Sequence, residues 1–143
     1  MIGELAPEGA KDAKNMNESD ALQLADVIRQ TAFEAHTFLR HGHNEKVYEN
    51  SLRNRLRRKN LKVDQQIPIN VFDDDGSPLG DFFADLIIND AFIVELKAVR
   101  SLIEEHTAQV LGYLRASRHE HAMLINFGSP KIQFRKYIFR TQD

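Results

Sequence analysis

The stretch DFFADLIINDAFIVELKAV, residues 81–99, decides how this chain folds. Its apolar runs predict two buried strands joined by a short turn, and three ionisable side chains interrupt them: Asp85, Glu95 and Lys97. Strand interiors disfavour Asp, and a buried carboxylate or ammonium is costly unless it is paired or binds a metal. The sequence therefore predicts a β-hairpin that carries a functional site.

The length of the hairpin turn decides whether the acids share a face of the sheet. Glu95 and Lys97 lie two residues apart, so they project from the same face of their strand. A two-residue loop at 89–90 would leave Asp85 and Glu95 on opposite faces, whereas a three-residue loop at 89–91 would pair them directly. A joint site therefore requires the odd loop or a β-bulge.

If the three-residue loop forms, two carboxylates stand opposite each other with Lys97 nearby. Like charges so placed repel unless a cation lies between them, and a hard divalent ion, Mg²⁺ with Mn²⁺ as a substitute, suits such oxygen ligands. The lysine can orient or deprotonate a water or neutralise a phosphoryl oxygen, which favours phosphodiester hydrolysis. The alternative left open is a salt bridge between Lys97 and Asp85 or Glu95 on a solvated face.

Hydrophobic spacing and turn residues predict one α/β domain in the order α, α, β, β, β, α, β, β. Residues 1–18 lack an apolar period and are expected to form a disordered tail, so the single domain spans residues 19–143. The predicted helices begin at Ser19, at about Asn44 and at about Glu104, and the predicted strands are 63–72, 82–88, 92–98, 121–127 and 132–139.

Charge and composition bound the partners. The 143 residues carry 19 Lys and Arg against 21 Asp and Glu, so no overall basic field indicates nucleic acid, and any such binding must use a local patch. Because cysteine is absent, metal ligands must be oxygens or His. The apolar runs are short and the N-terminus lacks a signal pattern, so we expect a cytoplasmic protein that does not bind membranes.

A local basic patch is found on the second predicted helix and just after it. Between residues 50 and 63 the chain has six basic residues and no acid. Arg53 and Arg57 project away from the apolar stripe of this helix and, with Arg58, are tentative contacts to phosphates. The alternative is an ordinary solvated helix face.

Glu45 begins the same helix, whose apolar stripe comprises Tyr48, Leu52 and Leu56. At ~100° per residue, Glu45 projects between Leu52 and Leu56, which predicts an acid that points inward with the stripe. The alternative is that an acid in the first turn only complements the helix dipole.

Four motifs in order resemble the GxxExxY proteins of the PD-(D/E)xK nuclease superfamily. They are Gly42, Glu45 and Tyr48 in GHNEKVY, the hairpin with Asp85 and ELK, the helix HTAQVLGYL, and the ending LINFGSPK. The resemblance runs from about residue 22 to 139. It departs from the family where HTFLRHGHNE stands in place of a Gly-Pro-Gly turn.

The resemblance implies a restriction-endonuclease-like fold, with a central mixed β-sheet of about five strands flanked by helices. It implies that Asp85, Glu95 and Glu45 bind the metal and that Lys97 is the catalytic lysine. Gln109 and Tyr113 match an element that lies beside the active site of related nucleases, although the alternative is that Tyr113 is an ordinary core aromatic and Gln109 a solvated neighbour. We expect a Mg²⁺-dependent nuclease acting on DNA rather than RNA, or alternatively a catalytically silent module that binds nucleic acid or a protein.

Overall fold

The structure is a computed structural model that describes residues 16–140. Its elements follow the predicted order. The helices are α1 (Glu18–Leu39), α2 (Glu45–Arg58) and α3 (Glu104–Ser117), and the strands are β1 (Val63–Phe72), β2 (Pro78–Ile88), β3 (Phe92–Lys97), β4 (His121–Asn126) and β5 (Gln133–Ile138). Most of the predicted tail lies outside the described residues, and α1 begins at Glu18 behind an Asn17 N-cap. None of these helices is long and apolar enough to cross a membrane.

The five strands form one mixed sheet in the order β1-β2-β3-β4-β5. Strands β3 and β4 are parallel, with α3 as the connection between them, and every other neighbouring pair is antiparallel. Helices α1 and α2 pack on one face, and α3 packs on the other. The predicted five-stranded mixed sheet flanked by helices is therefore confirmed.

Alternating side chains of the central strand supply two cores. Phe92, Val94 and Leu96 pack with α1 and α2, while Ile93 packs with α3 on the opposite face. Fully burying an apolar side chain of this size contributes about 1.5–3 kcal/mol. Because β3 is covered on both faces, any charged residue at its end must be accommodated by the site that surrounds it.

The turn between β2 and β3 has three residues. Ile88 pairs with Phe92, which leaves residues 89–91 as the loop and confirms the odd register that a joint site requires. Asn89 and Asp90 both have positive φ angles, which Asn and Asp tolerate better than most residues. The turn is anchored because the Asn89 N–H donates to the carbonyl of Lys62, the residue before β1.

In both strands of the first hairpin, β1 and β2, the side chains that alternate toward each core switch from one face of the sheet to the other, at paired positions of the two strands. In β2, Ala84 packs in the α3 core and Leu86 in the other core, although residues two apart should share a face. The core contacts of β1 switch in the same way across 63–67, where Gln66 has a φ of 55°. The ladder omits Gln66 and Asp85, which lie opposite each other in the surrounding register. At this irregularity the side-chain amide of Gln66 contacts the carboxylate of Asp85.

The first hairpin is longer than predicted. Strand β2 begins at Pro78 rather than Phe82, because the ladder with β1 continues as far as the pair Phe72 and Pro78. The turn is correspondingly short, with the Asp73 N–H donating to the Ser77 carbonyl. The first hairpin therefore extends well beyond Asp85, the acid of the candidate site that lies on β2.

Tyr48 of the predicted motif holds the loop between α1 and α2. Its hydroxyl donates to the carbonyl of Arg40 and accepts from the His43 N–H at 3.2 Å, and its ring stacks on Phe127 with 4.7 Å between centroids. Gly42 within this loop has a φ of 118°, a conformation that side chains rarely adopt. The motif tyrosine thus closes a loop that lacks the Gly-Pro-Gly turn.

Candidate active site

The ladder between β2 and β3 is interrupted beside Asp85 and Glu95. Regular pairing ends at Leu86 and Val94, one step before the acids. There the Asp85 N–H donates to Oε2 of Glu95 at 2.7 Å, and the Leu96 N–H donates to Oδ2 of Asp85 at 2.9 Å. The predicted juxtaposition of the two acids is confirmed, and each carboxylate is held by the opposite strand.

Burial dominates the electrostatics of this pair. Glu95 is 4% exposed, and burial together with the charge of Asp85 raises its pKa to about 8. Burial also raises the pKa of Asp85, and the charges of Glu49 and Glu45 add to that effect. Within residues 16–140, no Lys, Arg or His nitrogen lies within 4.0 Å of either carboxylate. Two acids buried together in this way favour the binding of a cation.

Lys97 follows Glu95 on the same face of β3 and does not form the predicted alternative salt bridge. Its Nζ donates to Oε1 of Gln109 at 3.1 Å. In the described part of the chain, no carboxylate oxygen lies within 4.0 Å of this ammonium. Burial raises the pKa of Glu95, while the positive charge of Lys97 opposes the shift. The lysine therefore lies in the field of the acids and is oriented by α3.

Helix α3 brings Gln109 and Tyr113 to the same place. Gln109 contacts Lys97 directly, so it is not only a solvated neighbour. Burial raises the pKa of Tyr113 to about 12, and the charges of Glu95 and Asp85 contribute. Gln109 therefore contacts the lysine of the site and Tyr113 lies in the field of the acids, and the roles of both in catalysis stay predictions.

Glu45 does not point inward as the helical wheel predicted. It is exposed in the first turn of α2, whereas Glu49, one turn later on the same stripe, is 3% exposed. A wheel gives the direction of a side chain around the helix axis but not the point along the axis where the helix meets the sheet. The inward orientation of Glu45 is therefore wrong, although its charge reaches Asp85. Its role as a metal ligand stays a prediction.

Glu49 and the two consecutive glutamines of β1 were missed by reasoning from the sequence. Glu49 accepts hydrogen bonds from the side-chain amides of Gln65 and Gln66. Nε2 of Gln66 also lies 3.1 Å from Oδ1 of Asp85, so one amide links the acid of α2 to the acid of β2. The available signals were an acid four residues after Glu45 and a Gln-Gln pair within a strand.

The three arginines of the basic patch are placed differently from one another. Nη1 of Arg53 donates to Oε1 of Gln65 at 2.6 Å, and Nη2 of Arg57 donates to the Val63 carbonyl at 2.7 Å. These two side chains therefore join α2 to β1. Arg58 is exposed at the end of α2. Contact of all three with phosphates stays a prediction.

The acids of the first hairpin turn form a separate cluster. Residues 73–75 are exposed and bring one oxygen each within 4.8 Å of the others. Among the described residues, Glu45, Asp85 and Glu95 do not form a three-acid group of that kind. The candidate site is thus a buried pair with a third acid near it, in contrast to the solvated acids of the turn.

The end of β3 is fixed by the motif that follows β4. Asn126 is fully buried, and its amide bonds both the N–H and the carbonyl of Val99 as well as Oε1 of Gln133. A Cβ added to Gly128 would lie 2.3 Å from the Val99 nitrogen, so only glycine fits. These contacts hold the chain two residues after Lys97.

Comparisons with known proteins add a family and a fold. A sequence model of the PD-(D/E)XK nuclease superfamily matches residues 22–138. A solved structure described as "Crystal structure of SSO0001" is similar at a TM-score of 0.55 and 16% identity, over 95% of this chain and 63% of that chain. This chain therefore spans less than two thirds of that structure, and the likeness concerns the fold alone. No curated protein matches the chain.

Proposed function

The chain belongs to the PD-(D/E)XK nuclease superfamily, and from this membership we propose that it is a metal-dependent nuclease that hydrolyses phosphodiester bonds in DNA. The observation that carries the proposal is the pair of half-buried Asp85 and buried Glu95, with Lys97 beside it at the end of β3. Members of the superfamily generally use divalent metals. Assignment to the GxxExxY proteins and to the cytoplasm belongs to the same proposal.

The donor set of the site fits a hard divalent cation. Glu95 presents buried oxygens and Asp85 half-buried ones, and in residues 16–140 no cationic side chain forms an ion pair with them. With Glu45 from α2, these acids would hold Mg²⁺, with Mn²⁺ as a substitute. When bound, the ion would supply charge neutralisation at a phosphoryl oxygen and a more acidic water.

The side chains around the acids act on the phosphate and on the attacking water. Lys97 is placed to neutralise charge that develops on a phosphoryl oxygen, and Gln109 restricts the orientation of its ammonium. Tyr113 is protonated at neutral pH, and burial with the nearby acids raises its pKa further, to about 12. Its hydroxyl can therefore donate a hydrogen bond to the substrate.

The first prediction concerns Lys97. Single-stranded, duplex and branched DNA and RNA are incubated with Mg²⁺ or Mn²⁺, and cleavage is followed by gel electrophoresis. We expect Lys97→Ala to lower the rate ~10²- to 10³-fold, the usual cost of removing one group that stabilises charge developing in the transition state. Lys131→Ala removes the same charge from an exposed position and should leave the rate unchanged. Equal rates for Lys97→Ala and the parent protein would contradict the role.

A second candidate function is a catalytically silent module that binds nucleic acid or a protein. One observation favours it: Glu45 is exposed, and the three proposed ligands do not converge as a group among the described residues. The substrate screen separates the two functions. Binding of DNA without cleavage in either metal, together with no binding of Mn²⁺, would establish the silent module.

A further inference from the structure

A cleft of about 640 Å³ lies between the first hairpin and α3. Gln109 and Tyr113 line it; Gln109 also contacts Lys97, and Tyr113 lies in the field of the acids, so the cleft adjoins the candidate active site. Gly112 lies between them on the helical wall, where an added Cβ would meet no atom within 4 Å. The cleft is within the ~300–1,000 Å³ range of small-molecule sites, which is enough for an unstacked nucleotide.

Aromatic rings line the hairpin side of this cleft. Phe82 stacks on Tyr113 with 3.7 Å between ring centroids and 11° between planes. Phe72 is 59% exposed and has no ring partner among residues 16–140. Exposed aromatic side chains in a groove are the surfaces on which unpaired bases stack. The cleft therefore offers the exposed ring of Phe72 in addition to the stacked pair of Phe82 and Tyr113.

Two cations lie at the end of the cleft formed by the last turn of α3. Arg115 and Arg118 line it and are exposed, and neither has a carboxylate oxygen within 4.0 Å in the described part of the chain. The Arg115 guanidinium lies 5.5 Å from the ring centroid of Phe139. Asp73, the acid of the lining, lies on the hairpin side. An apolar slot bordered by two guanidinium groups that form no ion pair within residues 16–140 is complementary to a nucleotide.

We infer that this cleft binds an unpaired nucleotide of the substrate, with its base against Phe72 and its phosphates near Arg115 and Arg118. The inference rests on the proposed nuclease function and deepens it by naming the substrate class. That class is single-stranded nucleic acid, or a duplex with an unpaired stretch beside the cut. A fully paired duplex has no free base to place in the cleft, because its bases are stacked on one another.

Binding is tested in EDTA with a single-stranded DNA oligonucleotide that contains one 2-aminopurine, whose fluorescence falls when the base stacks. We expect Phe72→Ala to weaken binding ~10- to 100-fold, the effect of removing one base–aromatic stack. Phe83→Ala is the matched control, because Phe83 is 52% exposed on the same hairpin and does not line the cleft. Equal affinities for Phe72→Ala and Phe83→Ala would overturn the inference.

Filling the cleft gives an independent test that does not remove a ring. Gly112→Leu should weaken binding of the single strand and leave binding of a paired duplex unchanged, whereas Gly112→Ala should leave both unchanged. Circular dichroism would verify that the leucine variant folds. Equal loss of duplex and single-strand binding in Gly112→Leu would count against the cleft. So would light scattering that shows a dimer of the parent protein and a monomer of Gly112→Leu, because the cleft would then be an interface between two copies of the chain.

The outcomes separate this inference from the proposed function. Cleavage that requires Lys97 but is indifferent to Gly112→Leu on every substrate overturns the cleft and supports the nuclease. Single-strand binding that Gly112→Leu abolishes, in a protein that cleaves nothing, supports the cleft and overturns the nuclease. The EDTA measurement makes this separation possible because it needs neither metal nor catalysis.

Discussion

The carboxylate of Glu95 accepts a hydrogen bond from the Asp85 N–H but has no ion-pair partner within the described residues. Burial and the neighbouring acid raise its pKa from 4.5 to about 8. The same causes raise the pKa of Asp85. In the metal-free protein, the site therefore favours the protonated form of Glu95 at neutral pH, and a cation would reverse that preference.

This shift predicts how the stability of the metal-free protein depends on pH. Because the folded pKa of Glu95 is raised, its contribution to stability is fully present below the unfolded pKa of 4.5 and is lost as pH rises through about 8. The free energy of unfolding should fall by about 1.4 kcal/mol for each unit by which the pKa is raised. Urea unfolding in EDTA from about pH 5 to about pH 9 measures the loss.

Glu95→Gln is the control for that measurement, because the amide keeps an acceptor oxygen and cannot titrate. Its stability should change less over the same pH range. A parent protein whose stability rises between the two ends of the range would show that burial does not set the charge of Glu95. Adding Asp85→Asn to Glu95→Gln should reduce the pH dependence of stability further, since the pKa of Asp85 is raised as well.

The two acids of α2 differ in burial, and this predicts different costs of removal. Glu49→Ala should lower the free energy of unfolding by about 1.5–3 kcal/mol, because it removes a charged acceptor from the amides of Gln65 and Gln66, although Gln66 keeps its contact with Asp85. Glu45→Ala removes an exposed acid and should change stability by less than ~0.5 kcal/mol. Chemical denaturation of both variants compares them. A larger cost for Glu45→Ala would contradict the orientation described for α2.

At the scale of secondary-structure elements, the site depends on an irregularity in two neighbouring strands. Gln66 and Asp85 lie at the level where β1 and β2 exchange faces, and the β2–β3 ladder stops one residue from Asp85. A regular sheet would direct Asp85 to a single face. The break instead lets acids from α2, β2 and β3 approach one another while the strands stay packed on both sides.

The segment after β3 predicts a contrast between two glycines. Gly128→Ala should destabilise the protein by ~1–3 kcal/mol, because the new Cβ would meet backbone atoms of Val99 that cannot yield without moving the chain. Gly112→Ala places its Cβ in open space within α3 and should stabilise the protein by ~0.5–1 kcal/mol. Thermal unfolding of the two variants gives the comparison. We also expect Gly128→Ala to lower activity by displacing Lys97, and equal stabilities for the two variants would contradict the close approach.

At the scale of the whole molecule, helices pack on both faces of the mixed sheet, so that Glu95 is buried and Asp85 is half-buried. Binding of a cation to the folded state alone should then stabilise the protein. At 100 times the dissociation constant, Mn²⁺ should add about 2.7 kcal/mol, measured as a rise in the melting temperature. The rise should vanish in the Asp85→Asn, Glu95→Gln double variant.

The acidic turn offers a matched control for that prediction. Replacing the three aspartates at 73–75 by asparagine removes an exposed cluster whose oxygens approach within 4.8 Å of one another. The rise in melting temperature should persist in this variant. If instead it persists in the Asp85 and Glu95 variant and disappears in the turn variant, the cation binds at the turn.

The sequence by itself determined the order of the elements, the central hairpin and the identity of its charged residues. Period-two and helical hydrophobic patterns are local, so they survive without knowledge of the packing. The three-residue turn was one of two registers that the sequence allowed, and the ladder decided between them. Only the resemblance to known nucleases predicted that Gln109 and Tyr113 lie beside the site, because their spacing alone was also compatible with an ordinary core role.

Only the tertiary structure decided which acid of α2 is buried and where its partners come from. Glu45 and Glu49 lie on one stripe, and the contact with β1 falls at Glu49, because the position of a helix along a sheet depends on residues distant in sequence. The exchange of strand faces at Gln66 likewise depends on β1 and β2 together. The sequence therefore named the charges of the site, and packing between distant segments set their burial, their hydrogen bonds and their pKa values.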